Sequence, residues 1–252
     1  MLKDYVKSGL QKILGYDNYL FIFAVFCIMR IRIGNTDKSF KYFMSMIPSE
    51  GVILDIGANI GMMSVILATG FPGSDVIAFE PIPSNINAFK RIAKIFRLKN
   101  ITLKETALGE QNGKIKMVLP VIKKSRRQGL SHVWKEGSTD VWNQGEFFTV
   151  PVVKLDNLNE LHMAKKVAAI KVDVENYEYE VFCGAREIIE KHQPIIYSEL
   201  WDNEKRNLCI ELLKGMGYDI HVVENNELKA YKDQKEINFI FLPKNYYYEN
   251  CA

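Results

Sequence analysis

Cysteine is scarce in this sequence, with four residues among 252 and no two of them close together. The four are Cys27, Cys183, Cys209 and Cys251. Zinc sites and redox motifs need cysteines separated by only a few residues, so the spacing argues against both. Scattered single cysteines are typical of a reducing compartment, and we expect a cytoplasmic protein.

A strong excess of charge of one sign is also lacking. Charged residues make up 25% of the chain, yet the formal net charge is only +3. A nucleic-acid or membrane partner is indicated by a concentrated basic face, which so small an excess does not establish. The net charge alone therefore leaves the kind of partner open. The hydrophobic content of 48% is that of an ordinary globular protein.

No unbroken apolar run is long enough to cross a bilayer as a helix. The main candidate, Tyr19–Met29, has eleven residues and is flanked by lysines and arginines. At about 1.5 Å per residue, it covers about half of the roughly 30 Å hydrocarbon layer. No small-residue cleavage site follows it, so a signal peptide is not indicated. We favour a buried or lid-forming helix over membrane contact.

From Gly51 onward, apolar β-type runs alternate with helical patterns. This rhythm of βαβ units predicts a doubly wound α/β fold with a mostly parallel, seven-stranded sheet. The predicted strands are Val52–Ile56, Asp75–Glu80, Ile101–Glu105, Val167–Asp173, Pro194–Glu199, Tyr218–Val223 and Ile237–Leu242. We divide the chain into an N-terminal helical extension, residues 1–48, and a main domain, residues 49–252.

Residues 109–153 interrupt the alternation. They contain two further predicted strands, Lys114–Leu119 and Phe147–Val153, joined by a basic polar loop, and we interpret them as an insertion over the sheet. Apolar periodicity predicts helices between the other strands, among them Tyr179–Lys191. Pro83–Asn85 are predicted to form a turn and the N-cap of another helix.

Acidic and glycine residues follow the first two strands, where open α/β sheets bind ligands. Strand one runs into the loop Asp55-Ile-Gly-Ala-Asn-Ile-Gly61, whose glycines allow a tight turn and close approach of a ligand. Strand two ends in Glu80, whose carboxylate can accept hydrogen bonds from both hydroxyls of a ribose. Together these features predict an adenosine-containing cofactor.

The loop does not fit a dinucleotide cofactor. A dinucleotide fingerprint has glycine at the first, third and sixth positions, and this loop has Gly57, Asn59 and Met62 there. Asp55 would also direct a negative charge toward a pyrophosphate. S-Adenosylmethionine lacks phosphate and carries a sulfonium and an ammonium, which suit a rim of acidic residues. The alternative for Asp55 is a carboxylate that only caps the loop.

Five motifs in order resemble the FkbM-type methyltransferases, over roughly residues 49–200. They are the loop 55–61, Ala78-Phe-Glu-Pro81, Thr106-Ala-Leu-Gly109, Val150-Pro-Val-Val-Lys-Leu-Asp-Asn-Leu158, and Ile170-Lys-Val-Asp-Val-Glu175 with Gly184-Ala185. The resemblance implies a class I, Rossmann-like methyltransferase fold with S-adenosylmethionine as cofactor. It also implies O-methylation of a sugar, a glycan or another small natural-product hydroxyl.

The same resemblance implies a set of cofactor-binding positions at the carboxyl edge of the sheet. Asp55, Gly57, Asn59 and Gly61 would hold the methionine part and Glu80 the ribose, while Glu105, Thr106 and Ala107 would border the adenine and Asp173 would lie beside the methyl group. One position departs from the family, which usually has glycine where this chain has Asn176. Asparagine is the best substitute for glycine at positive φ, so the backbone can keep its conformation. The change adds a side chain beside the site, which affects the acceptor pocket more than the cofactor pocket.

Methyl transfer to a hydroxyl also needs a base. Glu175 and Asp173 follow strand four, close to the expected methyl group, and we favour Glu175 as the base. His132, in the inserted loop, is the rival, although a loop histidine is more often only solvated. A magnesium ion held by Asp173, Glu175 and Glu199 is an alternative, but nothing in their spacing requires a metal.

Two features of the sequence leave alternatives open. The basic cluster Lys123–Arg127 is interpreted either as a clamp for an anionic group of the acceptor or as a solvated loop. A nucleic-acid methyltransferase would share the cofactor site, but the Asn-Pro-Pro-Tyr type of motif is missing after strand four, so we expect no nucleic-acid partner. A non-catalytic relative that binds the cofactor is the other alternative, and Asn176 keeps it open.

Overall fold

The computed structural model describes residues 2–34 and 37–246, so Cys251 lies outside the described residues. Its helices are α1 (Leu2–Leu14), α2 (Tyr16–Arg32), α3 (Lys38–Met46), α4 (Met62–Gly70), α5 (Pro83–Ile95), α6 (Asn159–Met163), α7 (Glu178–Cys183), α8 (Arg186–His192) and α9 (Glu204–Gly215). Its strands are β1 (Gly51–Ile56), β2 (Ser74–Phe79), β3 (Ile101–Lys104), β4 (Ala107–Leu108), β5 (Gly113–Ile122), β6 (Ser125–Arg126), β7 (His132–Val133), β8 (Gly145–Val153), β9 (Val167–Val172), β10 (Ile195–Glu199), β11 (Tyr218–Glu224), β12 (Glu227–Ala230) and β13 (Asn238–Pro243).

The main sheet has the strand order β12-β11-β13-β10-β9-β1-β2-β3. The five strands from β10 to β3 are parallel, whereas β13, β11 and β12 pair antiparallel. The predicted doubly wound α/β fold is confirmed. All seven predicted strands are present, and the short β12, which pairs with β11 after the turn at Asn225 and Asn226, adds an eighth.

Central strands of the sheet are buried on both faces. All six residues of β9 are buried, because helices cover it above and below. Alternate residues of β1 enter different apolar clusters, since successive side chains of a strand point to opposite faces. Leu54 and Ile56 pack with α7, α8 and α9, while Ile53 packs with α3 and α4. The core thus lies in two layers, one on each side of the sheet.

The interrupting segment builds a second, smaller sheet with the order β4-β8-β5-β6, with β7 paired to β5. Its centre is the antiparallel pair of β5 and β8, which runs from Gly113 opposite Val152 to Pro120 opposite Gly145. Both strands are longer than predicted. The apolar cluster of Ile82, Met117 and Val150 joins this sheet to the start of α5.

The N-terminal helices pack on one side of the main sheet. Helix α2 buries Tyr19, Leu20, Ala24 and Ile28 in a cluster with residues of α4 and α5, and it exposes its opposite side. The predicted buried helix is therefore buried along one face. Among residues 2–34 and 37–246, no single helix is long and apolar enough to cross a membrane; α1 and α2 pass that test only as a pair bent by 116°.

Two predicted helix boundaries were wrong. The predicted helix Tyr179–Lys191 is divided into α7 and α8. In a continuous helix the Ile188 N–H would donate to the Gly184 carbonyl, but Asp156 binds both of these groups. Its backbone N–H donates to the Gly184 carbonyl (3.0 Å), and its Oδ1 accepts from the Ile188 N–H (3.1 Å). Pro83 is the first residue of α5 and not part of a preceding cap, since a first-turn proline has no N–H to satisfy.

Candidate functional site

The loop between β1 and α4 has a left-handed backbone at three positions. Gly57, Asn59 and Gly61 have φ values of 77°, 52° and 83°. A Cβ at Gly57 would lie 1.9 Å from the carbonyl oxygen of Asp173, and a Cβ at Gly61 would lie 2.7 Å from the Phe89 ring. Both glycines are therefore required by space as well as by conformation.

Asn59 and Glu80 join the ends of β1 and β2. The Asn59 backbone N–H donates to Glu80 Oε2 (2.9 Å), and the Asn59 side chain donates from Nδ2 to the Gln128 carbonyl (3.2 Å). Glu80 Oε1 accepts from the Ile82 N–H (2.8 Å) and from Asn85 Nδ2 (3.2 Å). Three of the roughly four acceptor positions of the carboxylate are thus filled by the protein.

Glu80 is buried, and burial raises its pKa to about 7 against the opposing effect of its hydrogen bonds. Asn85 beside it carries a buried oxygen, Oδ1, with no hydrogen-bond partner among the described residues. Sequence reasoning missed Asn85, because only the folded chain shows that the first turn of α5 faces Glu80. Together the two side chains offer hydrogen-bond acceptors to a ligand with hydroxyl groups.

A cleft of about 640 Å³ opens above these residues, and we call it the cofactor cleft. Its walls come from the carboxyl ends of β1, β2 and β9 and from the inserted sheet. The lining residues are Ile56, Gly57, Asn59, Phe79, Glu80, Pro81, Ile82, Asn85, Thr106, Ala107, Leu108, Met117, Gln128, Gly129, Ser131, Val133, Asp173, Val174, Glu175 and Tyr177. An apolar slot with a few polar groups is the usual form of a small-molecule site.

Asp55 lies beneath this cleft and does not line it. Its side chain is fully buried, accepts from Ser64 Oγ (2.5 Å) and forms an ion pair with Lys171 Nζ (3.1 Å). Lys171 Nζ also lies 3.7 Å from Asp173 and within 3.5 Å of the Gly57 carbonyl. The expected acidic rim is therefore partly neutralised, and Asp55 supports the loop from below.

Sequence reasoning missed Lys171, although a single lysine within the buried strand β9 is an available signal. Burial lowers the pKa of this ammonium, but the carboxylates of Asp55 and Asp173 outweigh burial and raise the pKa above its ordinary value. The lysine is therefore charged and paired beneath the loop.

The turn after β9 places Glu175 and Asn176 in the left-handed region, with φ values of 54° and 70°. Glu178 holds this turn, because its Oε1 accepts from the backbone N–H groups of Val174 (3.1 Å) and Asn176 (3.3 Å). The asparagine adopts the positive φ that we expected at this position. The departure from glycine is compatible with the backbone of the turn.

A second cleft of about 890 Å³ adjoins the first, and we call it the acceptor cleft. Its lining residues are Leu130, His132, Lys135, Ser138, Asp140, Trp142, Asn143, Glu175, Asn176 and Trp201. The buried Asn143 fixes one wall, since its side chain accepts from the Lys135 N–H (3.0 Å) and donates to the Lys135 carbonyl (2.7 Å). Glu175 lines both clefts and therefore lies where they meet.

Two side chains of the acceptor cleft can accept a proton. Burial, with smaller contributions from Asp173 and Glu199, raises the pKa of Glu175 to about 8. His132 Nδ1 lies 2.8 Å from the Leu130 carbonyl, which can only accept, so the neutral ring carries its proton on Nδ1. The other nitrogen, Nε2, is then left with a lone pair.

Several predicted residues lie outside both clefts. Glu105 forms an ion pair with Lys90 (2.5 Å) on the surface, so it does not border the cofactor cleft, whereas Thr106 and Ala107 do. The basic cluster Lys123–Arg127 lines neither cleft; within it, Arg126 pairs with Glu146 (2.5 Å). In the part of the chain that the structure describes, no three metal-ligating side chains converge.

Comparisons with known proteins find methyltransferases. The sequence profile of the methyltransferase FkbM domain matches residues 55–245. Methyltransferase 1 of Beauveria bassiana is 25% identical over 183 residues, which cover 67% of this chain and 68% of that protein. Methyltransferase sdnD of Sordaria araneosa is 26% identical over 204 residues, which cover 71% of this chain and 78% of that protein.

A solved structure shows the same fold. The methyltransferase FkbM of Methylobacillus flagellatus superposes with a TM-score of 0.54 at 16% identity, covering 92% of this chain and 57% of that chain. This chain thus spans a little more than half the length of that protein, and the similarity concerns the class I methyltransferase fold. Because the profile match covers most of the chain, the protein belongs to the FkbM methyltransferase family.

Proposed function

We propose that the protein transfers a methyl group from S-adenosylmethionine to a hydroxyl of a sugar, a glycan or another small natural product. The observation that carries this proposal is that Glu175 lines both clefts. A residue at their junction lies where a methyl donor in one cleft meets an acceptor in the other. Transfer between two bound molecules requires such proximity.

The cofactor cleft suits the adenosine part of S-adenosylmethionine. A ribose offers two hydroxyl donors, and the cleft offers the remaining acceptor position of Glu80 and the unpartnered Oδ1 of Asn85. Ile82, Leu108 and Met117 supply apolar surface for the adenine. Gly57 has no side chain, so it lines the cleft with its backbone.

The other end of the cleft suits a cation. Asp173 lines it with its side chain 38% exposed, so the carboxylate is accessible to a ligand. A carboxylate at that place attracts an ammonium or a sulfonium. When bound, S-adenosylmethionine supplies a methyl group on a sulfonium that is a good leaving group.

The acceptor cleft combines flat apolar surface with polar groups. Trp142 and Trp201 are both about half exposed, and Lys135 and Asp140 line the same cleft. Aromatic faces contact the C–H surface of a sugar ring or another small ring compound, while charged and amide groups bind its hydroxyls. This combination favours a polyhydroxylated ring compound.

Glu175 is the proposed general base and His132 the alternative. A carboxylate with a pKa of about 8 takes a proton more readily than an ordinary glutamate, once the pH is high enough to ionise it. His132 has its Nε2 lone pair available in the same cleft. Asp173 is assigned to cation binding, because it lines only the cofactor cleft.

Calorimetry tests the cofactor first. The purified protein is titrated with S-adenosylmethionine, S-adenosylhomocysteine and NAD, and the first two are expected to bind. Glu80→Ala is expected to lose at least about 1.5 kcal/mol of binding free energy, the usual value of a hydrogen bond to a charged group. Glu105→Ala, the matched control outside the cleft, should bind like the wild type. Binding of NAD alone, or of nothing, contradicts the proposal.

Methyl transfer is then assayed with labelled S-adenosylmethionine and panels of glycans, natural-product alcohols and nucleic acids. Labelled methyl ethers are the expected product. Glu175→Gln is expected to lower the rate at least about a hundredfold while retaining cofactor affinity, and His132→Gln distinguishes the alternative base. Labelling of nucleic acid would contradict the proposed acceptor class. A methyl-transfer rate that is unchanged in Glu175→Gln would contradict the assignment of Glu175 as the base.

A further inference from the structure

Helix α1 places its polar side against the protein. Gln11 is only 7% exposed; its side chain donates to the Arg126 carbonyl (3.1 Å) and accepts from the Arg126 N–H (3.0 Å). Ser8 Oγ donates to the Lys124 carbonyl (3.1 Å), and Lys7 Nζ donates to Gln128 Oε1 (3.3 Å). Hydrogen bonds therefore attach the polar side of the helix to the segment 124–128.

The apolar side of α1 faces outward as a consequence. Val6, Leu10 and Ile13 are spaced by four and three residues, so they share one side of the helix. All three are exposed, Ile13 by 82%. This arrangement is the reverse of a surface helix in a water-soluble domain, which directs its apolar stripe to the core.

Helix α2 continues this apolar surface. Its buried side packs on α4 and α5, while Ile22, Phe26 and Met29, spaced in the same way, are each about half exposed. Leu10 of α1 and Phe26 of α2 line one groove of about 1050 Å³ between the helices. We name the set Val6, Leu10, Ile13, Ile22, Phe26 and Met29 the outward apolar face.

The segment that carries this face has a net positive charge. Residues 1–34 contain five lysines or arginines and two aspartates, so they carry a net charge of +3, equal to the formal charge of the whole chain. The exposed turn of Lys123 and Lys124 lies beside α1, where Ser8 bonds to it. The basic cluster, which lines neither cleft, is therefore located next to α1, on the side of Ser8 and Gln11.

We infer that the outward apolar face docks on an anionic membrane surface. Interfacial helices insert apolar side chains about 5–10 Å into the boundary between headgroups and acyl chains, while lysine and arginine contact anionic lipids. Exposed leucine, isoleucine and phenylalanine supply the apolar contribution, and the lysines and arginines of residues 1–34 and of the turn beside α1 supply the electrostatic one. The inference concerns attachment and is independent of the reaction and its substrate.

Vesicle co-sedimentation tests this inference with the full chain. Wild-type protein is mixed with vesicles of phosphatidylcholine, with or without about 30% phosphatidylserine, and is expected to pellet with the anionic vesicles only. Added salt should weaken binding, because screening acts on the basic residues. Leu10→Gln/Phe26→Gln removes two members of the face and should weaken binding at least about tenfold.

Two control variants keep the result interpretable. Leu208→Gln changes an equally exposed apolar residue on α9 and should leave vesicle binding unchanged. Lys123→Gln/Lys124→Gln should weaken binding to anionic vesicles, whereas Lys232→Gln/Lys235→Gln, at other exposed lysines, should not. Circular dichroism and thermal melting establish that each variant is folded. The substitutions lie outside both clefts, so S-adenosylmethionine titration gives a separate readout.

Failure of the wild type to pellet with anionic vesicles would overturn the inference. So would binding by Leu10→Gln/Phe26→Gln that equals the wild type. Sedimentation velocity is run on the same samples: a dimer that dissociates in this variant would show that a second copy of the chain covers the face instead.

Discussion

Replacing Lys171 by methionine should strongly destabilise the protein. The substitution removes the cation 3.1 Å from Asp55 and leaves a carboxylate that is fully buried, with Ser64 as its remaining hydrogen-bond partner. Breaking a buried ion pair from one side costs about 3–5 kcal/mol. Since a domain is stabilised by about 5–15 kcal/mol in total, the variant should unfold at a clearly lower denaturant concentration.

Urea unfolding followed by circular dichroism measures this effect. The matched control is Lys229→Met, which breaks a 3.1 Å ion pair with Glu224 at the surface and should change stability by less than about 1 kcal/mol. Lys171→Met/Asp55→Asn, which removes both charges, should regain much of the loss. A cost below about 1 kcal/mol for Lys171→Met, or a double variant no more stable than the single one, would refute the assigned pairing.

Three further predictions concern the clefts. Gly57→Ala should weaken S-adenosylmethionine binding at least about tenfold in calorimetry, because its Cβ overlaps a backbone carbonyl at 1.9 Å, whereas Gly215→Ala, with open space around it, should not. The ligand-free protein should melt at a lower temperature at about pH 8 than at about pH 5.5. Folding raises the pKa of Glu80 to about 7 and that of Glu175 to about 8, so the folded state loses stability as the pH rises through these values, and Glu175→Gln should flatten this dependence. Trp201→Ala should raise the acceptor KM several-fold, about 1 kcal/mol, without changing cofactor affinity, and equal effects on both ligands would contradict the division into two clefts.

The sheet and the cofactor loop were predictable because their signals are local. Buried parallel strands read as continuous apolar runs, and the residue that follows each strand lies at the carboxyl edge whatever the rest of the fold does. Gly57, Asn59 and Glu80 therefore met at one cleft as expected. The positive φ at Asn176 followed from its residue type in the same way.

Features that depend on contacts between distant residues were not predictable. Asp55 precedes the loop in sequence, but its pairing with Lys171, 116 positions later, decides that it lies beneath the cleft. The break between α7 and α8 likewise depends on Asp156, which lies well before either helix in the chain. Glu105 ends the predicted strand three, yet it pairs with Lys90 at the surface.

Helix α1 also changes how substitutions in this chain should be interpreted. Alignment methods and stability design treat the hydrophobic side of an amphipathic helix as its interior and the polar side as freely variable. In this helix, variation at Gln11 disturbs the hydrogen bonds to the segment 124–128, whereas a change from valine to lysine at position 6 leaves the folded core untouched. A redesign guided by the hydrophobic pattern alone would therefore keep the exposed apolar residues of α1 and replace polar residues such as Gln11 that bind the rest of the protein.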